Sequence, residues 1–235
     1  MRDKLKGKEY FDSLIEELYD DINFYNDKLR KKEVASDRIP SVKWNMRKAY
    51  LQVLIAKYSS GYDIDEIRKD FLDLIPMLVD TWSDGDSVIT MYWIYSFAIL
   101  LGIGNDHILQ LEKIISDFNI HDALLTFFRV FVFEKKVLIT DDFVPKLPYP
   151  LLKNIIISDN NKELLEEYIK KEWYKGSANK CQYWYNSHKE NMNLYFGYWS
   201  FEAGAVAKIL GIDDSGLKNV PYYPYDLVHY CNKKA

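Results

Sequence analysis

Gly197-Tyr198-Trp199-Ser200-Phe201-Glu202-Ala203-Gly204-Ala205-Val206-Ala207-Lys208-Ile209-Leu210-Gly211-Ile212 reads as an aromatic lead-in, a short apolar helix and a glycine stop. Phe201, Ala205 and Ile209, with Trp199 and Val206 beside them, recur at helical spacing. Gly204 and Ala205 leave room for a neighbouring backbone to come close. Gly211 after Leu210 matches the left-handed glycine that closes many helices. Downstream, Pro221-Tyr222-Tyr223-Pro224-Tyr225 resists helix, because each proline pushes its predecessor toward extended geometry. It is expected to form an aromatic strap over the helices before it. Trp199, Phe201, Glu202 and Gly211 are accordingly read as structural residues.

Working outward, the same period of 3.6 runs through most of the chain. Phe11, Leu14, Ile15, Leu18, Ile22, Tyr25 and Leu29 form one stripe, which predicts a long first helix over 9–34. A break at Asp37 to Pro40 precedes a second helix over 41–59, with Tyr50, Leu51, Leu54, Ile55 and Tyr58 inward. The third starts near Asp63, buries Ile64, Ile67, Phe71, Leu74 and Leu78, and should kink or end at Pro76. The fourth (87–101) is almost wholly apolar and so central, ending Leu101-Gly102-Ile103 much as the later helix ends Leu210-Gly211-Ile212. That echo fits two helical halves of similar plan.

Helices over 105–118 and 121–134 follow. The run Phe127 to Ile139 has strand-like composition and is read as helix because its surroundings are helical. Thr140 to Pro150 is a proline-rich loop whose Phe143, Leu147 and Tyr149 call for burial. Further helices are expected over 151–157, over 161–174 with Asp159-Asn160 as cap, and over 179–189. The expected fold is all-α: about ten helices in two packed helical halves, residues 1–119 and 120–235, with no substantial sheet.

Composition narrows the function classes. Thirty-five acidic against 31 basic side chains give no general support for nucleic-acid binding. No apolar run reaches 18 residues and Met1-Arg2-Asp3-Lys4-Leu5-Lys6 lacks a signal-peptide core, so a cytoplasmic protein without membrane contact is expected. Cys181 and Cys231 form neither a disulfide framework nor a zinc pattern, and Cys181 reads as a packing residue. Nineteen tyrosines suit helix packing and also a protein-binding face.

Catalytic patterns are missing: no phosphate-binding glycine loop, nucleophile elbow or His-Glu-x-x-His helix is present. His107, His121, His188 and His229 are scattered, and His188 and Glu190 are spaced for different helix faces, so no catalytic, cofactor or metal residue is assigned. Glu202 sits within an apolar helix, where a carboxylate must be bonded to tolerate burial. A tie to a tyrosine hydroxyl, an amide or a lysine is the simplest reading; a place at a binding surface is the other. Asp226 divides similarly between capping a terminal helix and holding the strap.

Charge distribution is more telling than its total. Between Tyr62 and Asp142 lie fifteen acidic and six basic side chains. Glu66, Asp70 and Asp73 stack at i, i+4 and i+7 on the third helix, at a cost of a few tenths of a kcal/mol per like-charged pair. A solvated face is the ordinary explanation; a surface that steers a basic partner is the functional one.

The motifs Gly197-Tyr198-Trp199-Ser200-Phe201-Glu202-Ala203, Leu210-Gly211-Ile212-Asp213-Asp214 and Tyr222-Tyr223-Pro224-Tyr225-Asp226-Leu227 resemble, in this order, the PoNi family of bacterial immunity proteins. Lys57-Tyr58-Ser59-Ser60-Gly61-Tyr62 is similar to the family's N-terminal region. The resemblance implies an all-α, non-catalytic cytoplasmic protein, with 1–119 and 120–235 as its two regions, which neutralises a DNA-degrading PoNe toxin. On that reading the partner is a nuclease toxin domain, and no DNA is bound directly. Glu66, Asp70 and Asp73, with Asp84 and Asp86, form a first candidate contact set against a positive nuclease cleft. Tyr222, Tyr223 and Asp226 form a second. The alternatives are a helical adaptor or scaffold for an intracellular protein or peptide, and a hydrolase using Glu202, Asp226 and His188.

Overall fold

The structure, a computed structural model, describes residues 1–178, 184–190 and 192–231. Among them are eleven α-helical segments joined by short 3-10 turns and loops, and no strand. The fold is all-α. The chain divides into two compact units. Unit 1 comprises Met1–Asp84, Leu109–Ile114 and Asn186–Gly197; unit 2 comprises Gly85–Ile108, Ile115–Tyr185 and Tyr198–Ala235.

In unit 1, α1 (Lys8–Arg30) packs along α2 (Ile39–Ser60), and α2 against α3 (Ile64–Thr81). The α1 stripe is buried at Phe11, Leu14, Ile15 and Ile22, then fades. Tyr25 is exposed and the helix stops at Arg30, short of the expected residue 34, with Lys32 in the left-handed region. Pro40 lies in the first turn of α2, where a missing N–H breaks no bond. Gly61, at φ 95°, closes α2 by donating to the Lys57 and Tyr58 carbonyls. A side chain at 61 would also collide with the backbone of Met1, at 2.7 Å. The N-terminus lies on this helix end: the amides of Arg2 and Asp3 both donate to Ser59 O, and Asp3 accepts the Tyr195 hydroxyl.

Asp63 caps α3 through the Asp65 amide at 2.8 Å. Pro76 does not end the helix, which runs on to Thr81. The proline removes one backbone bond, and the burial of Leu74, Ile75 and Leu78 around it keeps the helix together.

Unit 2 is built on α4 (Val88–Leu100), buried along most of its length. The next helix, α5 (Asn105–Asp117), contributes its middle to unit 1 and its ends to unit 2. α6 (Ala123–Glu134), α7 (Leu152–Ile157), α8 (Asn161–Glu167), α9 (Trp173–Gly176), α10 (Phe201–Leu210) and α11 (Tyr225–Val228) follow. α10 packs on α4, where the Phe97 and Phe201 rings are 4.4 Å apart. The two glycine stops share one geometry. Gly102 (φ 56°) and Gly211 (φ 63°) are left-handed, and the next amide returns to Ala98 O at 3.2 Å and Ala207 O at 3.0 Å. The strap lies on α10 at Gly204, where a Cβ would meet Pro224 Cγ at 2.7 Å.

Several expectations for unit 2 are corrected. The helix read through Ile139 ends at Glu134, closed by a left-handed Lys135, and residues 135–140 are irregular. Tyr149 is fully buried as expected, but Leu147 is half exposed. Asn160 precedes α8 without capping it through its side chain; its amide instead donates to Ser158 Oγ at 3.0 Å. The helix expected over 161–174 passes through a π turn at Tyr168–Glu172. Residues 179–183, Cys181 among them, lie outside the described residues. The remainder of the helix expected there is a turn followed by one 3-10 turn, Ser187–Lys189.

Candidate functional site

Lys57 organises the acidic face of α3. It is the one cation in an eight-residue run, Val53 to Ser60, that is buried throughout, and its side chain is 7 % exposed. An ammonium there requires anions. Nζ donates to Glu66 Oε1 at 2.8 Å and Asp70 Oδ2 at 2.6 Å. Burial alone would lower its pKa, but hydrogen bonds with Asp70, Glu66 and Tyr19 outweigh burial and hold it above its ordinary value. The i, i+4 carboxylates that looked merely repulsive in sequence therefore share a cation. Asp73, one turn further on, is exposed and forms no ion pair among the described residues.

Asp70 and Asp73 line a cleft of about 120 Å³ together with Tyr19, Tyr50, Val53, Leu54 and Met77. The Tyr19 and Tyr50 rings stand 6.4 Å apart and nearly perpendicular, at 81°. Burial raises the pKa of the Tyr50 hydroxyl, and Tyr19, Asp73 and Asp70 add to the effect. Sequence reading found the acids but missed Tyr19, Tyr50, Lys57 and Met77. A lone lysine inside an apolar helical run was the available signal.

Of the remaining first-set residues, Asp84 is exposed and Asp86 half-buried, in the turn between α3 and α4. The second set meets different fates. Tyr223 is buried, and its hydroxyl donates to Asp214 Oδ2 at 2.7 Å. Asp214 also faces His229 Nε2 at 2.8 Å, so this buried carboxylate ties the strap to the end of α11. Tyr222 is half-buried in the left-handed region (φ 72°), stacks on Tyr174 at 5.0 Å, and lends its carbonyl to the Ser200 amide at 2.7 Å. Asp226 is exposed in the first turn of α11.

Glu202 is fully buried in unit 2. Its Oε1 accepts from the Trp173 indole at 2.6 Å and from Ser200 Oγ at 2.7 Å; Oε2 has no hydrogen-bond partner among the described residues. Burial pushes its pKa up to about 7, against hydrogen bonds from its own backbone amide, Ser200 and Trp173. Of the ties expected, the backbone amide is present, supplied by Glu202 itself, and the Trp173 indole and the Ser200 hydroxyl join it. Trp199, just ahead of α10, and Phe201, its first residue, are both buried. In the hydrolytic trio Glu202, Asp226 and His188, Glu202 is shut away from solvent while Asp226 is exposed. Burial lowers the pKa of His188. Among the described residues no three His, Cys, Asp or Glu side chains converge as metal ligands, and no helix is long and apolar enough to cross a membrane.

The fold is shared by a solved structure, that of protein PA2201 from Pseudomonas aeruginosa. The match has a TM-score of 0.69 at 16 % identity and covers 94 % of this chain and 86 % of the other. A comparison with curated proteins found no match. Family models are decisive. The model described as PoNe immunity protein (PoNi), N-terminal, matches residues 2–113, and the one described as PoNe immunity proteins (PoNi), C-terminal, matches residues 120–227. With both regions present in order over nearly the whole sequence, this chain belongs to the PoNi family of immunity proteins to PoNe toxins.

Proposed function

We propose that this protein neutralises a cognate DNA-degrading toxin by binding it one to one in the cytoplasm, without chemistry of its own. The observation that carries this reading is the succession of both PoNi regions along the chain. The acidic surface of α3 supports it physically. A nuclease domain must present positive charge to the phosphates of its substrate, and a carboxylate face is attractive to such a surface. Asp73 and Asp84, exposed, are the first contacts in this reading, with Glu66 and Asp70 on the same unit and Asp86 as a further contact. Tyr222 and Asp226 are second contacts; Tyr223 is occupied inside unit 2.

The test is co-expression with the product of the neighbouring gene, scoring intact cellular DNA and a purified complex. Protection and a one-to-one complex are expected, with association slowed by salt. Reversing exposed charges, Asp73→Lys with Asp84→Lys, should slow association about tenfold at low ionic strength. An unchanged rate removes the acidic face from the proposal and leaves immunity standing. Absence of both protection and complex removes the reading of immunity to that gene product.

A further inference from the structure

We propose that the tyrosine-walled cleft of unit 1 seats a single arginine side chain of the protein partner. The inference rests on the acidic face of α3 being the partner surface, and it names the group that surface takes. Three properties of the cleft fit a guanidinium on an aliphatic stem. Val53, Leu54 and Met77 supply apolar lining for the methylenes. Tyr19 and Tyr50, at 81° to one another, offer an aromatic face and edge to a planar cation. Asp73 has no ion pair among the described residues, and Asp70 spends only Oδ2 on Lys57.

Charge and an internal precedent decide the sign of the occupant. Glu66, Asp70 and Asp73 carry three negative charges, and Lys57 is the cation paired with them among the described residues, so these four side chains carry a net negative charge. The Tyr19 ring already lies near a cation: Lys57 Nζ is 5.5 Å from its centroid. Lys57 reaches its carboxylates from the buried end, while Asp73 stands exposed where a side chain from outside can meet it. Arginine fits better than lysine because its planar fork can pair with a carboxylate and stack on a ring at once.

The experiment uses the whole protein with labelled tyrosine rings, followed by NMR during titration with Nα-acetyl-arginine methylamide. The matching citrulline and lysine derivatives serve as comparison probes. Tyr19 and Tyr50 ring signals should move with a dissociation constant on the order of millimolar. Asp73→Asn should weaken the effect about tenfold, whereas Asp80→Asn, on the same helix outside the cleft lining, should not. Because no toxin is present, this result is independent of the protection assay. Equal responses to the arginine and citrulline derivatives, an unchanged response in Asp73→Asn, or lysine binding as tightly as arginine would each overturn the proposal.

Discussion

Lys57 in unit 1 and Glu202 in unit 2 are both ionisable groups enclosed by helices, and the two sites stabilise them by opposite means. Lys57 meets carboxylates, Glu66 and Asp70, which remain 47 % and 24 % exposed. Its charge is neutralised, and the surplus of negative charge continues outward to Asp73. Glu202 meets neutral donors, its own backbone amide, Ser200 and Trp173, and solvent does not reach it. Nothing among those donors cancels its charge, so the carboxyl holds its proton more strongly. One arrangement leaves a charged rim open to solvent. The other is sealed from solvent.

The largest test of this contrast is Glu202→Ala. The change strands two buried donors, the Trp173 indole and the Ser200 hydroxyl, and opens a small cavity beside them. Together these should cost about 3–4 kcal/mol. Urea unfolding at about pH 5.5, where the folded-state carboxyl is largely neutral, is the measurement. A loss of less than about 1 kcal/mol would mean that the site is not sealed as described.

The proton itself supplies a second test of nearly equal size. With a folded-state pKa of about 7 against 4.5 as the ordinary value, the folded chain retains a proton that the unfolded chain releases. This contribution is fully present below about pH 4.5 and is lost as pH rises through 7, amounting to about 3 kcal/mol by pH 8. Glu202→Gln keeps an acceptor for Trp173 and Ser200 and has no proton to lose. The stability difference between wild type and Glu202→Gln should therefore move in favour of the variant by up to about 3 kcal/mol across that window. A flat difference would assign the buried titration to another group.

How far these sites were legible in the sequence follows from the same physics. The glycine stops at 102 and 211 and the start of α3 at Asp63 declare themselves locally, and the structure has them. So does the burial of Glu202, because a lone acid in Phe201-Glu202-Ala203-Gly204-Ala205 has only apolar neighbours along its helix. Its partners were not legible, since Trp173 lies 29 residues away and only packing brings the indole to the carboxylate. Lys57 was missed as a centre for the same reason: α3 supplies its anions from nine and thirteen residues downstream. Asp122 was counted toward an acidic surface, yet it is buried and accepts from Tyr92, Leu124, Leu125 and Val144. Leu147 failed in the other direction, since apolar composition does not guarantee cover for a loop residue.

Lys57→Met gives the smallest of the three effects and addresses the open site directly. Methionine fills much of the space of the lysine stem, so little packing is lost. What is lost is the shared cation between Glu66 and Asp70, which leaves three carboxylates in succession on α3. Both partners are partly hydrated, and water replaces much of the missing charge; the cost should be about 1–2 kcal/mol, below that of Glu202→Ala. Repulsion among hydrated carboxylates is also screened. The destabilisation should therefore shrink in about 1 M salt, where the screening length is about 3 Å. The cost of Glu202→Ala should not, because no mobile ion reaches that site. Thermal unfolding of both variants at low and high salt reads the two together. If Lys57→Met costs more than Glu202→Ala, or is indifferent to salt, then the Lys57 centre is as closed as the Glu202 one, and the acidic rim loses its claim to be the surface that a partner meets.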